Sequence, residues 1–251
     1  MDAFKKALTT VYCKYPCQVL PNALWKTLAI ADEYKSEIKL NQKKIVHIKL
    51  WNKNKLQVYW TYDRNINLSH EYINSVLFML IHNDYIHRIP LKEFTYQRYF
   101  RLVCDTVPPF IDIPYDIVPV DTGSDKELRM VSTVIDKCYP NFSPSFETVK
   151  TWTTHPVFDK SLWVWALDGS TPAGLGIGEV DSNIKEASLE WIQVLPEYRG
   201  KKIGKALVQK LLQRVHKKVK FTTVSGRYGE TNKFYKGCGF TGDDIWWVLS
   251  R

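Results

Sequence analysis

The stretch Val194-Leu195-Pro196-Glu197-Tyr198-Arg199-Gly200-Lys201-Lys202-Ile203-Gly204-Lys205-Ala206-Leu207 constrains this chain more than any other. An apolar segment suited to a strand, Ala187 to Val194, runs into it. Apolar residues at helical spacing, Ala206, Leu207, Leu211, Leu212 and Val215, run out of it. The order predicted is strand, tight glycine-containing turn, helix. Such a turn leaves the first N–H groups of the helix without intrahelical acceptors, converging with the positive end of the helix dipole on one spot. That spot suits a phosphate or pyrophosphate, so the ligand expected here is an anion.

The charge pattern agrees. The chain carries a net charge of +9, and the segment from Arg199 to Lys220 holds nine Lys or Arg and no Asp or Glu. Arg199, Lys201, Lys202 and Lys205 stand beside the anion site and would create a positive field for it. Lys210, Arg214, Lys217 and Lys218 lie toward the far end of the helix, where cations favour the dipole and a solvated face is the simpler reading. No recognisable DNA- or RNA-binding motif accompanies the charge, so no nucleic-acid partner is expected.

These residues resemble the GNAT superfamily of acyl-CoA-dependent N-acyltransferases. Its hallmark is a glutamine or arginine, two residues, a glycine, one residue, then glycine or alanine, here standing as Arg199-Gly200-Lys201-Lys202-Ile203-Gly204. Lys202 occupies the place of the first glycine. Further along, Asn232-Lys233-Phe234-Tyr235-Lys236-Gly237-Cys238-Gly239-Phe240 resembles the family's short helix ending in Phe-Tyr, three residues, Gly-Phe. The resemblance implies an α/β (α+β) fold: a mixed, mostly antiparallel sheet flanked by helices, plus a smaller N-terminal α+β domain. It implies acetyl-CoA as acyl donor, a primary amine as acceptor, and direct attack with no metal and no covalent enzyme intermediate. It further implies that the donor lies where the fourth and fifth strands splay apart. Backbone N–H groups near Ile192, Gln193 and Val194 would polarise the thioester, and Arg199, Gly200, Lys201, Lys202, Ile203, Gly204 and Lys205 would hold the phosphates. Asn232 would contact the pantetheine arm.

Transfer to an amine also needs a proton acceptor and a proton for the departing thiolate. Glu190, four residues before Val194, is the base expected from the resemblance, with Glu179 the alternate. A carboxylate inside an apolar strand is desolvated, which makes it a better base. Tyr235 is the expected acid, a phenol able to give up a proton without first being charged. His155 is expected to border the acceptor site on family analogy. The departure at Lys202 supports an alternative, a catalytically inactive acyl-CoA-binding sensor or interaction module.

The whole chain, 251 residues, exceeds the roughly 150 of one such domain, so a second domain is expected. The proline-rich stretch Thr106 to Pro114 is the expected boundary, dividing residues 1–110 from 111–251. In the later part, strands are predicted at Tyr115–Val120, Leu162–Leu167, Ala173–Val180, Ala187–Val194 and Lys220–Ser225, with helices near Asp125–Cys138 and Ser145–Thr153. Ile245 to Leu249 would close that domain's sheet. Gly174, Gly176 and Gly178 share one sheet face, leaving room for a ligand or a neighbouring helix. In the earlier part, helices are predicted at Asn22–Tyr34 and Ser69–His82, strands at Lys44–Trp51 and Leu56–Asp63, and a strand or helix at Phe94–Cys104. Tyr59 and Trp60 point to opposite faces of their strand, so one of them is expected to be exposed. This region is either a second, degenerate copy of the fold or an unrelated module. No apolar run reaches membrane-span length and no secretory leader is read at the start, so a cytoplasmic protein without a membrane partner is expected. Five scattered cysteines suit a reducing compartment, and the pair Cys13 and Cys17 lacks the companions of a zinc site. A homodimer is compatible with the resemblance.

Overall fold

The computed structural model describes residues 2–63, 66–139 and 142–251. Contacts group the chain into two compact units, one made of residues 2–103, 225–236 and 241–251, the other of residues 104–224 and 237–240. The chain therefore crosses between units several times, where the sequence reading drew one crossing near residue 110.

The first unit opens with α1 (Ala3–Lys14), whose N-terminus is capped by Asp2 and whose Phe4, Ala7, Leu8, Val11 and Tyr12 recur at helical spacing and are buried. After α2 (Pro16–Val19) and α3 (Leu24–Ile30) come the strands β1 (Lys35–Asn41), β2 (Lys44–Trp51) and β3 (Lys55–Thr61), an antiparallel meander. The helix expected from Ser69 to His82 is present only as α4 (His70–Ser75), with the Ser69 hydroxyl accepting from the Tyr72 N–H. Beyond it the backbone is extended from Val76, and Phe78–His82 forms β4. A continuous apolar run is compatible with either a buried helix or a buried strand, and here the sheet claims it. β5 (Thr95–Cys104) completes this stretch as a strand.

Tyr59 and Trp60 do lie on opposite faces of β3, yet both are buried. The Tyr15 ring stacks over Trp60, while His47 and Tyr85 pack edge-on against Tyr59, so both faces of the strand are covered.

The second unit runs β6 (Asp116–Pro119), α5 (Asp125–Cys138), α6 (Phe146–Trp152), β7 (Phe158–Asp168), β8 (Thr171–Asp181), β9 (Glu186–Val194), α7 (Ile203–Val215) and β10 (Phe221–Arg227), the last strand leading back toward the first unit. Its strands pair in the order β6-β7-β8-β9-β10, antiparallel except for β9 with β10. One face carries Trp163, Trp165, Leu175 and Ile177 against Val131, Ile135 and Val149 of α5 and α6. Glu127 ties α5 to the sheet: its carboxylate accepts from the Trp165 indole at 3.1 Å and from the Asp121 N–H at 2.7 Å.

The other face meets α7. A Cβ on Gly174 would lie 2.8 Å from the Gln193 carbonyl oxygen and 3.1 Å from Ile203, and one on Gly176 would lie 3.2 Å from Leu211. The room these glycines leave is thus taken by a neighbouring helix. Gly174→Ala is expected to destabilise the protein by about 1–3 kcal/mol, because backbone as well as side chains must shift to admit the methyl group. Urea denaturation checks this, and an unchanged midpoint would show that α7 can move away freely.

The chain then returns to the first unit with α8 (Glu230–Lys236) and β11 (Thr241–Ser250). β11 does not close the second unit's sheet as expected. It pairs antiparallel with β4 and β5, Trp246 opposing both His82 and Tyr99, giving the first unit the order β1-β2-β3-β4-β11-β5. A short apolar run of strand length specifies a strand but not its partner. Helices around mixed, mostly antiparallel open sheets make the α/β fold that the sequence implied.

Candidate active site

β9 is interrupted at one residue. The register with β8 runs Gly174↔Val194 to Ile177↔Trp191 and resumes at Gly178↔Leu189, so Glu190 is an extra residue with no opposite number. A bulge of this kind breaks the alternation of faces and re-aims the bulged side chain. Glu190 is half-buried, and its carboxylate accepts a 2.6 Å hydrogen bond from the Ser188 hydroxyl. Simple strand parity therefore does not carry from Leu189 through to Val194, and the bulge rather than alternation sets where Glu190 points.

At the same residue β9 and β10 part. Their parallel pairing extends from Phe221↔Glu186 to Val224↔Leu189, whereas β9 continues to Val194. The orientation of the backbone beyond that point follows from one bond, the Leu195 N–H donating to Ala173 O at 3.1 Å. In an antiparallel ladder residues two apart repeat their orientation. Gln193 and Trp191 thus direct their N–H groups to β8, while Ile192 and Val194 direct theirs to the side that β10 vacates. Of the three residues expected to polarise a carbonyl, the backbone of Gln193 is committed elsewhere. The Val194 carbonyl accepts from Arg199 Nε at 3.3 Å and from Cys138 Sγ at 3.6 Å.

The turn after β9 carries two positive φ angles, 80° at Gly200 and 63° at Lys202. Lys202 is the residue before α7, and its side chain makes no capping bond. The left-handed conformation explains why a glycine suits this place, and Lys202 adopts it at a cost. Lys202→Gly is expected to raise stability by about 1 kcal/mol by removing that cost. Thermal unfolding measures it, and a lowered Tm would mean that the lysine side chain contributes more than its backbone loses. The N-terminus of α7, Ile203, Gly204 and Lys205, thus opens without a side-chain cap, as an anion site requires.

Basic residues toward the far end of α7 are engaged with neighbouring groups rather than forming the solvated face the charge pattern suggested. Lys201 lies over the Tyr198 ring at 4.9 Å, at the start of the helix. Toward the far end, Arg214 donates to the Ser161 carbonyl, Lys218 pairs with Asp159 at 3.0 Å, and Lys210 lies over Phe110. Gln209, which no pattern singled out, is buried in α7 and fastens the proline-rich stretch: it donates to Pro109 O at 2.7 Å and accepts from the Ile111 N–H at 3.0 Å.

Two other acidic groups of this unit are engaged. Glu179 is buried on β8, with His155 Nδ1 at 3.5 Å, and Glu186 accepts a 2.6 Å bond from the Thr223 hydroxyl. Cys238 is buried, and desolvation pushes its thiol up to about 11. Burial likewise raises the Cys138 thiol, partly offset by Arg199. Asn232 and Tyr235 belong to the first unit, on α8. Asn232 Oδ1 accepts from the Gly229 N–H at 3.3 Å, and the buried Tyr235 ring packs against Phe100 at 5.8 Å and Phe234 at 5.0 Å. Glu190, the backbone of Ile192 and Val194, and the start of α7 all belong to the second unit, whereas Asn232 and Tyr235 belong to the first. Among the described residues no group of three or more His, Cys, Asp or Glu could hold a metal ion, and no helix is long and apolar enough to cross a membrane.

Residues 129–240 match the model of the Acetyltransferase (GNAT) family. No curated protein matches the sequence. Among solved structures, a GCN5-related N-acetyltransferase from Sphaerobacter thermophilus is similar in fold, with a TM-score of 0.69 at 14% identity, over 100% of this chain and 92% of the other. A GNAT-family acetyltransferase from Colwellia psychrerythraea gives 0.64 at 13% identity over 100% and 97%. A tandem GNAT protein from the clavulanic acid biosynthesis pathway gives 0.57 at 10% identity over 99% and 94%.

Proposed function

We propose, for a chain that carries a GNAT acetyltransferase domain over residues 129–240, that it transfers an acetyl group from acetyl-CoA to a primary amine by direct attack. The family implies acyl transfer from an acyl-CoA to an amine; the acetyl group, the primary amine and the residue roles are our reading. The observation that carries it is the coincidence, at one residue of β9, of the bulge, the carboxylate and the parting from β10.

In this reading the uncapped start of α7 holds the pyrophosphate of the donor, with Lys201, Lys202 and Lys205 supplying positive charge around it. The N–H groups of Ile192 and Val194 donate to the thioester oxygen as it gains charge in the tetrahedral state. Glu190 takes a proton from the acceptor's ammonium group, directly or through a water, freeing the neutral amine to attack the thioester carbon, and the Ser188 hydroxyl holds its carboxylate in place. As the carbon–sulfur bond breaks, the thiolate takes a proton from the Tyr235 hydroxyl, a role assigned by the family resemblance, and the phenolate is restored by the second proton that the nitrogen loses in becoming an amide. The products are an amide and free coenzyme A, and the proton held by Glu190 returns to solvent. The five cysteines form no disulfide, which supports a cytoplasmic setting.

The test is release of free thiol from acetyl-CoA across polyamines, amino acids, aminoglycosides and lysine peptides. Amine-dependent release by any of these supports the transferase. Tight coenzyme binding with no release across the panel would favour the inactive binder.

A further inference from the structure

The order of elements in the second unit, helices, three antiparallel strands, a helix, then a strand parallel to the third, occurs in the first unit as well, from α1 to β4. The correspondence extends to single residues. β3 pairs with β4 only at Lys55↔Phe78 and Leu56↔Met79, and its register with β2 slips between Leu50↔Val58 and Trp51↔Leu56. Gln57 is therefore a bulged residue immediately after the last parallel pair, as Glu190 is in β9 after Leu189. Counting on, Thr61 corresponds to Val194, and the Tyr62 N–H donates to Val46 O as the Leu195 N–H does to Ala173 O. The backbone of Thr61 thus faces the space between parting strands, where Val194 faces it in the second unit.

Each functional feature is altered in this copy. The bulge carries an amide, Gln57, which donates to the Tyr34 hydroxyl at 3.0 Å and cannot act as a base. The helix that follows has its N-terminus satisfied by Ser69. The Thr61 backbone is taken on both sides by one side chain: its N–H donates to the Tyr85 hydroxyl at 3.1 Å, and that hydroxyl donates to its carbonyl at 3.0 Å. Tyr85 comes from the 3-10 helix Asn83–Arg88. What remains of the groove is a cleft of about 510 Å³ lined by Trp60, Thr61 and Tyr62 from the end of β3 and by Asp84, Tyr85 and Arg88 from that helix.

We propose that the first unit is a second copy of the acyl-transfer fold whose thioester position is filled by the chain's own Tyr85 hydroxyl, so that the protein carries one coenzyme site rather than two. This rests on reading the second unit as the coenzyme-binding one. Tyr85 holds closed the gap that the donor would enter.

Two measurements on the whole chain test it. Hydrogen exchange at the Thr61 amide, without ligand, is expected to be slow and to speed at least about tenfold in Tyr85→Phe, which keeps the ring and removes only the hydroxyl. Calorimetric titration with coenzyme A is expected to give one equivalent per chain, lost on Gly204→Asp in the second unit. Equal Thr61 exchange in both proteins would overturn the proposal, as would two equivalents or a site that survives Gly204→Asp. Slow Thr61 exchange with no coenzyme bound at all would support the internal occupant while removing the donor reading of the second unit.

Discussion

Gly204→Asp is expected to lower affinity for coenzyme A about a hundredfold, roughly 3 kcal/mol, while leaving Tm unchanged or slightly raised. The two effects have opposite signs for one reason. An aspartate in the first turn of α7 complements the helix dipole and can bond to N–H groups that Lys202 leaves uncapped, so the fold gains. The same carboxylate competes with a pyrophosphate for those donors and repels it. Gly204 lies within α7 and is not among the glycines at positive φ, so the new side chain meets no conformational penalty. Calorimetric titration alongside thermal unfolding reads both effects. Equal loss of affinity and stability would mean the substitution merely damages the helix, and unchanged affinity would place the phosphates elsewhere.

Glu190→Gln is expected to reduce kcat about a hundred- to thousandfold with little change in coenzyme affinity, the magnitude of a lost general base. Glutamine keeps the size and can still accept from Ser188, so the bulge and its 2.6 Å hydrogen bond should survive in form. The first unit already holds a glutamine at the matching bulge, Gln57, which shows that the amide is compatible with this local structure. Steady-state kinetics over a range of pH checks it. If the variant keeps the full rate at every pH, Glu190 is not the base, and Glu179, buried and beside His155, becomes the alternate.

Much of the second unit was legible because its signals are local. α5 runs from Asp125 to Cys138 as predicted, with Ser124 at its cap, and β7 and β8 each centre on a continuous buried run of strand length. The glycines of β8 were legible as small residues on one face, and α7 explains two of them. Features that depend on partners distant in sequence were not. β1 is largely exposed and so carries little apolar pattern of its own, its place being set by pairing with β2. β11 reads as a strand from its own residues, but only the fold reveals β4 and β5 as its neighbours.

The candidate site was legible in type rather than in mechanism of placement. Glycine and basic residues before a helix lead the sequence to propose an anion site, yet the left-handed φ at Lys202 belongs to the backbone. Glu190 could be singled out by position, whereas the bulge that directs it arises from a one-residue mismatch between β8 and β9 that no single strand encodes. For the same reason the kinship of Gln57 with Glu190 is invisible in residue type and plain in register.

The most direct measurement is a crystal structure of the chain with acetyl-CoA. The pyrophosphate should lie within hydrogen-bond distance of the N–H groups of Ile203, Gly204 and Lys205, with the thioester oxygen at the N–H of Ile192 or Val194 and the Glu190 carboxylate facing the acetyl carbon. Density for the coenzyme in the cleft beside Tyr85, or phosphates away from the start of α7, would contradict the account.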